Sequence, residues 1–332
     1  MSFKASYATA AIASAGVIGG AYAAYHLYNK LQKPKLPEEW TQVGTLKNIY
    51  VYPIKSCGPV ILNSVECTLL GLKSGWLRDR VLMVVDDKYN FVTARVYPDL
   101  LLVKPSVNNS ILTLKHPDME TLSVNLAEVA ALQSPKIASV WQVQVPVYDC
   151  GGEAAEWFSK VLGKPTSTMR LVYYASQNCR SLRGANSMYK FTKNDTGALS
   201  DEVSFNLLNE ASVDDLNNRL KDCNASHSRF RPNFVLDGAQ PYDEDNWKFV
   251  KIGENVFEVI KPCTRCVLTT IDPETGLRDV KAEPLETLKS YRQIQYPDGH
   301  KNEGNSPRMG LQMSLRSPPG GTISLNDPIY VA

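Results

Sequence analysis

Short runs of β-forming residues, separated by turn signals, dominate the chain from about residue 44 onward. This pattern predicts strands over Gly44–Tyr52, Val81–Asp86, Phe91–Arg95, Val256–Ile260 and Cys266–Ile271. Helical spacing is rarer and predicts three helices, which are Glu153–Leu162, one that begins at Ser212 and one that begins near Pro284. Many short strands with few helices indicate a β-rich α+β protein that contains a barrel.

The first thirty residues have a different pattern. No Asp, Glu, Lys or Arg occurs from Ala5 to Asn29, and as a helix this stretch would span ~37 Å, against roughly 30 Å of bilayer hydrocarbon. Lysines follow it and no acidic residue precedes Glu38, so the positive-inside bias places the body of the protein in the cytosol. We therefore predict a transmembrane signal-anchor helix over residues 1–30 and a linker over residues 31–43.

Two other interpretations of this segment are weaker. A cleaved secretory signal would lead to an oxidising compartment, which seven irregularly spaced cysteines do not favour. A matrix-targeting presequence would contain several arginines, and this stretch has none. A short, weakly apolar anchor flanked by lysines suits the mitochondrial outer membrane, with the endoplasmic reticulum as the alternative.

Composition describes an ordinary globular protein after the anchor. The chain has 332 residues, of which 43% are apolar, and a formal charge of +2, which gives no indication of a nucleic-acid partner. We predict two domains, over residues 44–175 and 176–332. The polar stretch Ser176–Ser200 reads as a long loop, a feature that is often functional in a compact domain. Asp201 and Glu202 follow it, either as proton donors or as plain loop acids.

Cys263 and Cys266 form a C-x-x-C motif that has no second pair. A structural zinc site needs four ligands, and none of the four histidines lies near the motif, so zinc is poorly supported. The other reading is one thiolate offered to a soft metal. The predicted strand places Cys266 at its start and Cys263 in the connection before it, and the neighbouring Arg265 favours the thiolate form.

The surroundings of this motif carry a resemblance to a known family. The sequence Cys263–Gly276, followed by Glu283–Arg292, resembles the signature of the mitochondrial amidoxime-reducing components, molybdenum enzymes built on a MOSC domain. Further matching runs occur in the right order, and they are Tyr52–Cys57, Gly71–Arg80, Asp149–Gly151 and Phe230–Asn233.

The resemblance implies a MOSC β-barrel domain with an amino-terminal MOSC-N companion domain, and a molybdenum-molybdopterin cofactor. It implies that Cys266 is the catalytic molybdenum ligand. It also implies cofactor contacts from Lys55, Ser56, Arg80, Arg231, Asn233, Thr264 and Arg265, and it places Gln312 at the cofactor from a more loosely matching stretch. Charge agrees with this set, because the cofactor carries a phosphate that Lys and Arg bind well.

The resemblance further implies an enzyme that reduces N-hydroxylated compounds such as amidoximes and hydroxylamines to amidines and amines. Its electrons would come from NADH through cytochrome b5 reductase and cytochrome b5. No G-x-G-x-x-G motif occurs, so we expect the chain not to bind NADH itself. Two alternatives remain: a non-catalytic cofactor carrier or sulfur-handling MOSC protein, and a zinc-stapled scaffold.

Overall fold

The computed structural model describes residues 35–132, 134–180, 189, 191–192, 194–294 and 306–332. Thr41–Ala332 forms one compact unit. The predicted anchor, residues 1–30, and the first part of the linker lie outside the described residues. Within the described ranges, no helix combines the length and apolar character that a membrane span requires.

Across the described ranges, nineteen strands make up most of the regular structure. The first six are β1 Thr41–Val51, β2 Val60–Leu62, β3 Ser64–Thr68, β4 Gly71–Ser74, β5 Leu77–Arg78 and β6 Leu82–Val85. The next six are β7 Lys104–Asn108, β8 Ile111–His116, β9 Met119–Asn125, β10 Lys136–Val140, β11 Val143–Asp149 and β12 Arg170–Tyr174. The last seven are β13 Phe205–Asn209, β14 Phe234–Asp237, β15 Phe249–Ile252, β16 Asn255–Thr264, β17 Arg308–Leu315, β18 Thr322–Ser324 and β19 Pro328–Val331.

The largest sheet closes on itself. Its order is β14-β13-β17-β16-β15-β19-β1-β2, and β1 also pairs with β14, so seven strands form a closed barrel with β2 attached. β1 pairs antiparallel with β19 through Thr41–Thr45 and with β14 through Thr45–Ile49. A strand from the beginning of the described chain thus completes a barrel whose other members all follow residue 204.

Three smaller sheets come mainly from the first half of the chain. Their strand orders are β10-β11-β12-β6, β18-β3-β4-β5 and β7-β8-β9. One apolar core lies mainly among the strands and helices between Ile54 and Tyr174, and it also includes Ala198, Leu199 and Ile271. A second core fills the barrel, and it combines Leu46 and Ile49 of β1 with later residues such as Phe205, Phe234 and Phe257.

Helices are short and few among the described residues. They are α1 Leu126–Ala130, α2 Gly152–Val161, α3 Glu210–Arg219, α4 His227–Phe230 and α5 Leu285–Tyr291. The prediction of α2 is confirmed within one residue at each end. The predicted start of α3 at Ser212 is wrong by two residues, because the Asn209 side chain caps the helix by accepting from Ala211 N. Ser212 instead donates to the buried Glu244 at 2.8 Å.

Two strand predictions near the site are wrong. Val267–Thr270 forms a 3-10 turn rather than a strand, and the Thr269 and Thr270 hydroxyls donate to carbonyls three residues earlier. This local bonding outweighs the β preference of the run. In Phe91–Arg95, only Phe91 makes a strand-like bridge, and Arg95 lies in a turn closed by Val96 N donating to Thr93 O.

Candidate active site

One cavity of about 630 Å³ is lined in part by residues of the barrel strands β13, β16 and β17. All nine residues that the sequence placed at the site line it, and they are Lys55, Ser56, Arg80, Arg231, Asn233, Thr264, Arg265, Cys266 and Gln312. The structure thus brings together residues that are separated by more than 250 positions in the chain. Seven Lys and Arg side chains line the cavity against two acidic ones, Asp201 and Glu202, so it favours an anionic ligand.

The two motif cysteines lie in different surroundings. Cys263 lies within β16 and is 6% exposed, and burial raises the pKa of its thiol. The Gln312 side-chain amide donates to its sulfur at 3.7 Å. Cys266 follows the strand and is exposed, and its sulfur accepts from Arg95 Nε at 3.4 Å. The expectation that Cys266 begins a strand while Cys263 lies in a connection is therefore wrong, because β16 extends through Cys263 to Thr264.

Arg80 and Arg231 flank the ring of the fully buried Tyr52. Their guanidinium carbons lie 4.8 Å and 4.3 Å from its centroid. Burial lowers the pKa of Arg231 to about 10, against the raising effect of Tyr52. Burial acts in the same direction on Arg80, but the adjacent Asp79 carboxylate outweighs it and raises the pKa of Arg80. The two arginines are therefore held charged on one wall of the cavity.

Besides Trp141, whose φ is +48°, three of the cavity residues have left-handed backbone conformations. The φ angles are +73° at Ser56, +48° at Arg80 and +53° at Arg231. Non-glycine residues adopt this region rarely, and such strain concentrates at functional sites. Backbone bonds hold two of them in place, from Arg80 N to Tyr52 O at 2.7 Å and from Arg231 N to His227 O at 3.1 Å.

Asp201 joins groups from three separate parts of the chain. Its carboxylate accepts from Lys55 Nζ, from Arg95 Nη2 at 2.8 Å and from Trp141 Nε1 at 3.0 Å. Burial would raise the pKa of Asp201, but the charges of Lys55 and Arg95 hold it well below its usual range. Asp201 is therefore ionised and holds these donor groups in place. This favours a structural role for Asp201 over a role as proton donor.

Lys55 is the buried cation of this cluster. Its side chain is 6% exposed, and its ammonium also donates to Leu199 O at 2.9 Å. Burial lowers the pKa of Lys55 to about 8, although Asp201 acts in the opposite direction. Lys55 therefore remains mostly charged at neutral pH and loses its charge in mildly alkaline solution.

The side-chain N–H groups of Arg265 and Asn233 donate hydrogen bonds to other parts of the protein. The Arg265 guanidinium donates to Met309 O at 2.5 Å and 2.9 Å and to Phe230 O at 2.8 Å. The Asn233 amide donates to Tyr50 O and to Asp79 Oδ1, both at 3.2 Å. Both side chains line the cavity while they tie its elements together.

Several buried polar atoms on the cavity residues have no hydrogen-bond partner within the described part of the chain. They are Arg231 Nη2, Asn206 Oδ1 and Gln312 Oε1. Buried polar atoms are normally bonded, so each of them indicates a group that a ligand would complete. These atoms lie on the cavity wall together with the cationic side chains. The wall therefore offers a ligand hydrogen bonds as well as charge.

Sequence reasoning missed several lining residues, among them Arg95, Trp141, Asn206, Arg229 and Lys261. Lys261 is 2% exposed at its side chain and pairs with Glu202 at 2.9 Å. Arg95 and Trp141 reach the cavity from turns, and no local motif marks them. Only the pairing of distant segments reveals them.

The described ranges contain no group of three or more His, Cys, Asp or Glu side chains arranged to hold a metal ion. What they contain is one exposed thiol, Cys266, at a strongly cationic cavity. The chemistry that this arrangement supports is binding of an anionic group together with ligation of a soft metal by a single sulfur.

Comparison with known proteins defines the class first. Residues 43–165 match the MOSC N-terminal beta barrel domain, and residues 194–330 match the MOSC domain. The protein is therefore a MOSC-domain protein with its amino-terminal companion domain, which confirms the predicted β-rich fold at this level.

Relatives then define the family. The chain is 38% identical over 301 residues to mitochondrial amidoxime-reducing component 1 of Mus musculus, which covers 90% of this chain and 85% of the relative. It is 38% identical to the Homo sapiens component 1 over 290 residues, with coverage of 87% and 83%. Against mitochondrial amidoxime reducing component 2 of Bos taurus the identity is 38% over 292 residues, again with 87% and 83% covered. The chain belongs to the family of the mitochondrial amidoxime-reducing components, and the predicted resemblance is confirmed.

Proposed function

We propose that the protein is a molybdenum-cofactor-dependent reductase of N-hydroxylated compounds, with Cys266 as the metal ligand. One observation supports this proposal most strongly. The exposed Cys266 sulfur lies at a cavity whose wall carries the paired arginines Arg80 and Arg231 and several unpartnered polar atoms. The names of the family relatives supply the substrate class, because they are amidoxime-reducing components.

The residues present fit a molybdopterin cofactor. A phosphate needs cationic donors, which Lys55, Arg80 and Arg231 offer. A pterin ring needs donors and acceptors along its edge, and Arg231 Nη2, Asn206 Oδ1 and Gln312 Oε1 lack partners within the described residues. When bound, the cofactor supplies a redox-active molybdenum that supports oxygen removal from nitrogen.

The chain's own residues have separate roles in this proposal. Cys266 holds the metal, while Arg80, Arg231 and Lys55 hold the anionic end of the cofactor. Arg265 stabilises the approach of β16 to β17 through its bonds to Met309 O. Asp201 stays ionised and keeps Lys55 and Arg95 in place. Protons for the reaction then come from solvent or from the substrate rather than from Asp201.

We also propose the electron source and the location. Electrons reach the site from NADH through cytochrome b5 reductase and cytochrome b5, and the chain itself binds no NADH. The relatives' names support a mitochondrial location. Attachment to the outer membrane through residues 1–30, with the folded unit in the cytosol, is part of the same proposal.

The test uses the full-length chain, expressed in cells that make the molybdenum cofactor. We expect molybdenum close to one atom per chain, together with NADH-dependent reduction of an aromatic amidoxime when both electron carriers are added. Leaving out either carrier is the control and stops NADH consumption. Stoichiometric zinc without molybdenum would overturn the proposal, and molybdenum without turnover would show a cofactor carrier instead.

A further inference from the structure

The Arg95 side chain donates a hydrogen bond to the sulfur of Cys266. Its Nε–H points to Cys266 Sγ at 3.4 Å, within the range of hydrogen bonds to sulfur. The two residues come from different halves of the chain, since Arg95 lies in the region matched by the MOSC N-terminal domain and Cys266 in the region matched by the MOSC domain. The amino-terminal half therefore reaches the reactive atom of the other half.

The Arg95 guanidinium is fixed from two further sides. Its Nη2 donates to Asp201 Oδ2 at 2.8 Å, and its carbon lies 5.5 Å from the centroid of the Trp141 ring. Trp141 Nε1 donates to the same carboxylate at 3.0 Å, which links the two supports. A planar guanidinium held by a carboxylate and an aromatic face has little freedom to turn, so its Nε–H keeps one direction.

We propose that Arg95 is a positioning residue for Cys266: its Nε–H fixes the direction of the sulfur. Asp201 and Trp141 hold the guanidinium in that place. A hydrogen bond to a ligating sulfur also reduces the electron density that the sulfur gives to its metal, which makes the metal easier to reduce. Only this last consequence rests on the proposed function, because the contact with the sulfur does not need a metal.

The first test uses the metal-free, full-length chain from cells that cannot make the cofactor. The rate of alkylation of Cys266 by iodoacetamide is measured at pH 7 by peptide-resolved mass spectrometry. The Nε–H bond holds the exposed sulfur in one orientation at the cavity, so we expect Arg95→Gln, which releases the sulfur to turn away, to slow the reaction severalfold. Cys266 is the exposed cysteine of the seven, so the reagent reaches it in the folded protein.

Arg95→Lys is the second variant, and it keeps the test valid if Arg95→Gln fails to fold. Its ammonium keeps the charge and can pair with Asp201, but it lacks the rigid fork that serves the carboxylate and the sulfur together. We expect it to slow alkylation less than Arg95→Gln does. The matched control is Arg219→Gln, which removes the same charge from the exposed pair with Asp215 and leaves the rate unchanged.

The second test uses the molybdenum-loaded protein and measures the reduction potential of the metal. We expect Arg95→Gln to make one-electron reduction about tenfold less favourable, which is a shift of about 59 mV to lower potential. A residue that only supports the fold would not move this potential selectively. Alkylation in both Arg95 variants at the wild-type rate or faster would overturn the inference, whether or not the wild-type protein proves to hold molybdenum.

Discussion

At the scale of single residues, the difference between Cys263 and Cys266 is one of surroundings rather than of motif. Cys263 is enclosed by β16 and Gln312, whereas Cys266 is exposed at the cavity beside Arg95. Burial raises the pKa of the Cys263 thiol in spite of the nearby Arg265, and such a thiol behaves as a small apolar group. An exposed sulfur next to a guanidinium is available as a ligand.

We therefore expect Cys266→Ala to retain less than about a tenth of the wild-type molybdenum and to lose reductase activity, because the other sulfur that lines the cavity, that of Cys263, is buried within β16. Cys263→Ala removes one buried atom and should keep most of both. Metal analysis by mass spectrometry and steady-state turnover measure the two effects. Equal losses from the two variants would contradict the assignment of Cys266 as the ligand.

Lys55 gives the site a pH dependence. Its pKa is lowered by burial to about 8, so its positive charge is present below that pH and is lost as the pH rises through it. Loss of the charge weakens the attraction for an anionic cofactor. We expect wild-type protein dialysed at pH 9.5 to retain about half or less of the molybdenum retained at pH 7, as one lost charge contact implies.

Two variants test whether Lys55 causes this loss of molybdenum between pH 7 and pH 9.5. Lys55→Arg keeps its charge at both pH values and should show a much smaller difference between them. Lys55→Met should retain little molybdenum at either pH and show no step. An unchanged step in Lys55→Met would mean that another group titrates.

At the scale of elements, local sequence patterns predict a helix or strand correctly where that element packs one apolar face against a single core. The spacing of apolar residues in α2 predicts the helix within one residue at each end, because its buried face packs on the adjacent sheet. The signals failed at Val267–Thr270 and at Arg95, where side-chain bonds to nearby carbonyls and a closed turn replace the predicted strands. Both failures lie beside Cys266, which fits the rule that functional sites depart from local preference.

β17 depends on a glycine at the edge of the site. Gly310 has a φ of +77°, and a Cβ added there would lie 2.4 Å from Leu207 O of β13. Arg265 bonds to the neighbouring Met309 O, so a displaced β17 would also disturb the site.

We expect Gly310→Ala to lower the free energy of unfolding by about 3 kcal/mol or more, because backbone strain and overlap add together. Gly75→Ala is the matched control. Gly75 has a φ of +59° and no atom within 4 Å of an added Cβ, so only strain of about 1 kcal/mol applies. Denaturant unfolding of both variants gives the comparison, and equal losses would show that the overlap is relieved at no cost.

At the scale of the whole molecule, the two matched regions share one barrel. β1 belongs to the region matched by the MOSC N-terminal domain, yet it pairs with β14 and β19 of the other region. Its Leu46, Ile49 and Val51 lie in the same apolar core as Phe205 and Phe257. Sequence patterns can propose a boundary between two domains, but they cannot show that a strand crosses it.

We expect residues 176–332 alone to show no cooperative thermal transition, because without β1 the barrel is open and its core is exposed. Coexpression with residues 1–175 should restore a soluble complex that melts cooperatively. Circular dichroism and size-exclusion chromatography measure these outcomes. A native-like transition in the shorter fragment alone would show that β1 is dispensable.

The same scale explains what sequence could predict of the site. The nine residues suggested by family motifs all line the cavity, because such motifs record distant contacts indirectly. Arg95 and Trp141 carry no motif, and only the meeting of the two halves places them beside Cys266. Charge, burial and backbone strain at these positions were not accessible from the order of residues.

The pairing of Thr41 with Val331 has a consequence for synthesis. The ribosome releases the first strand of the barrel almost an entire chain length before its partner exists. β2 and β14 are made earlier, but until β19 emerges the Thr41–Thr45 part of the strand lacks its native partner, and such a segment is open to wrong association. Chaperones that bind nascent chains should therefore protect this strand, and the barrel can close only after translation has passed Val331.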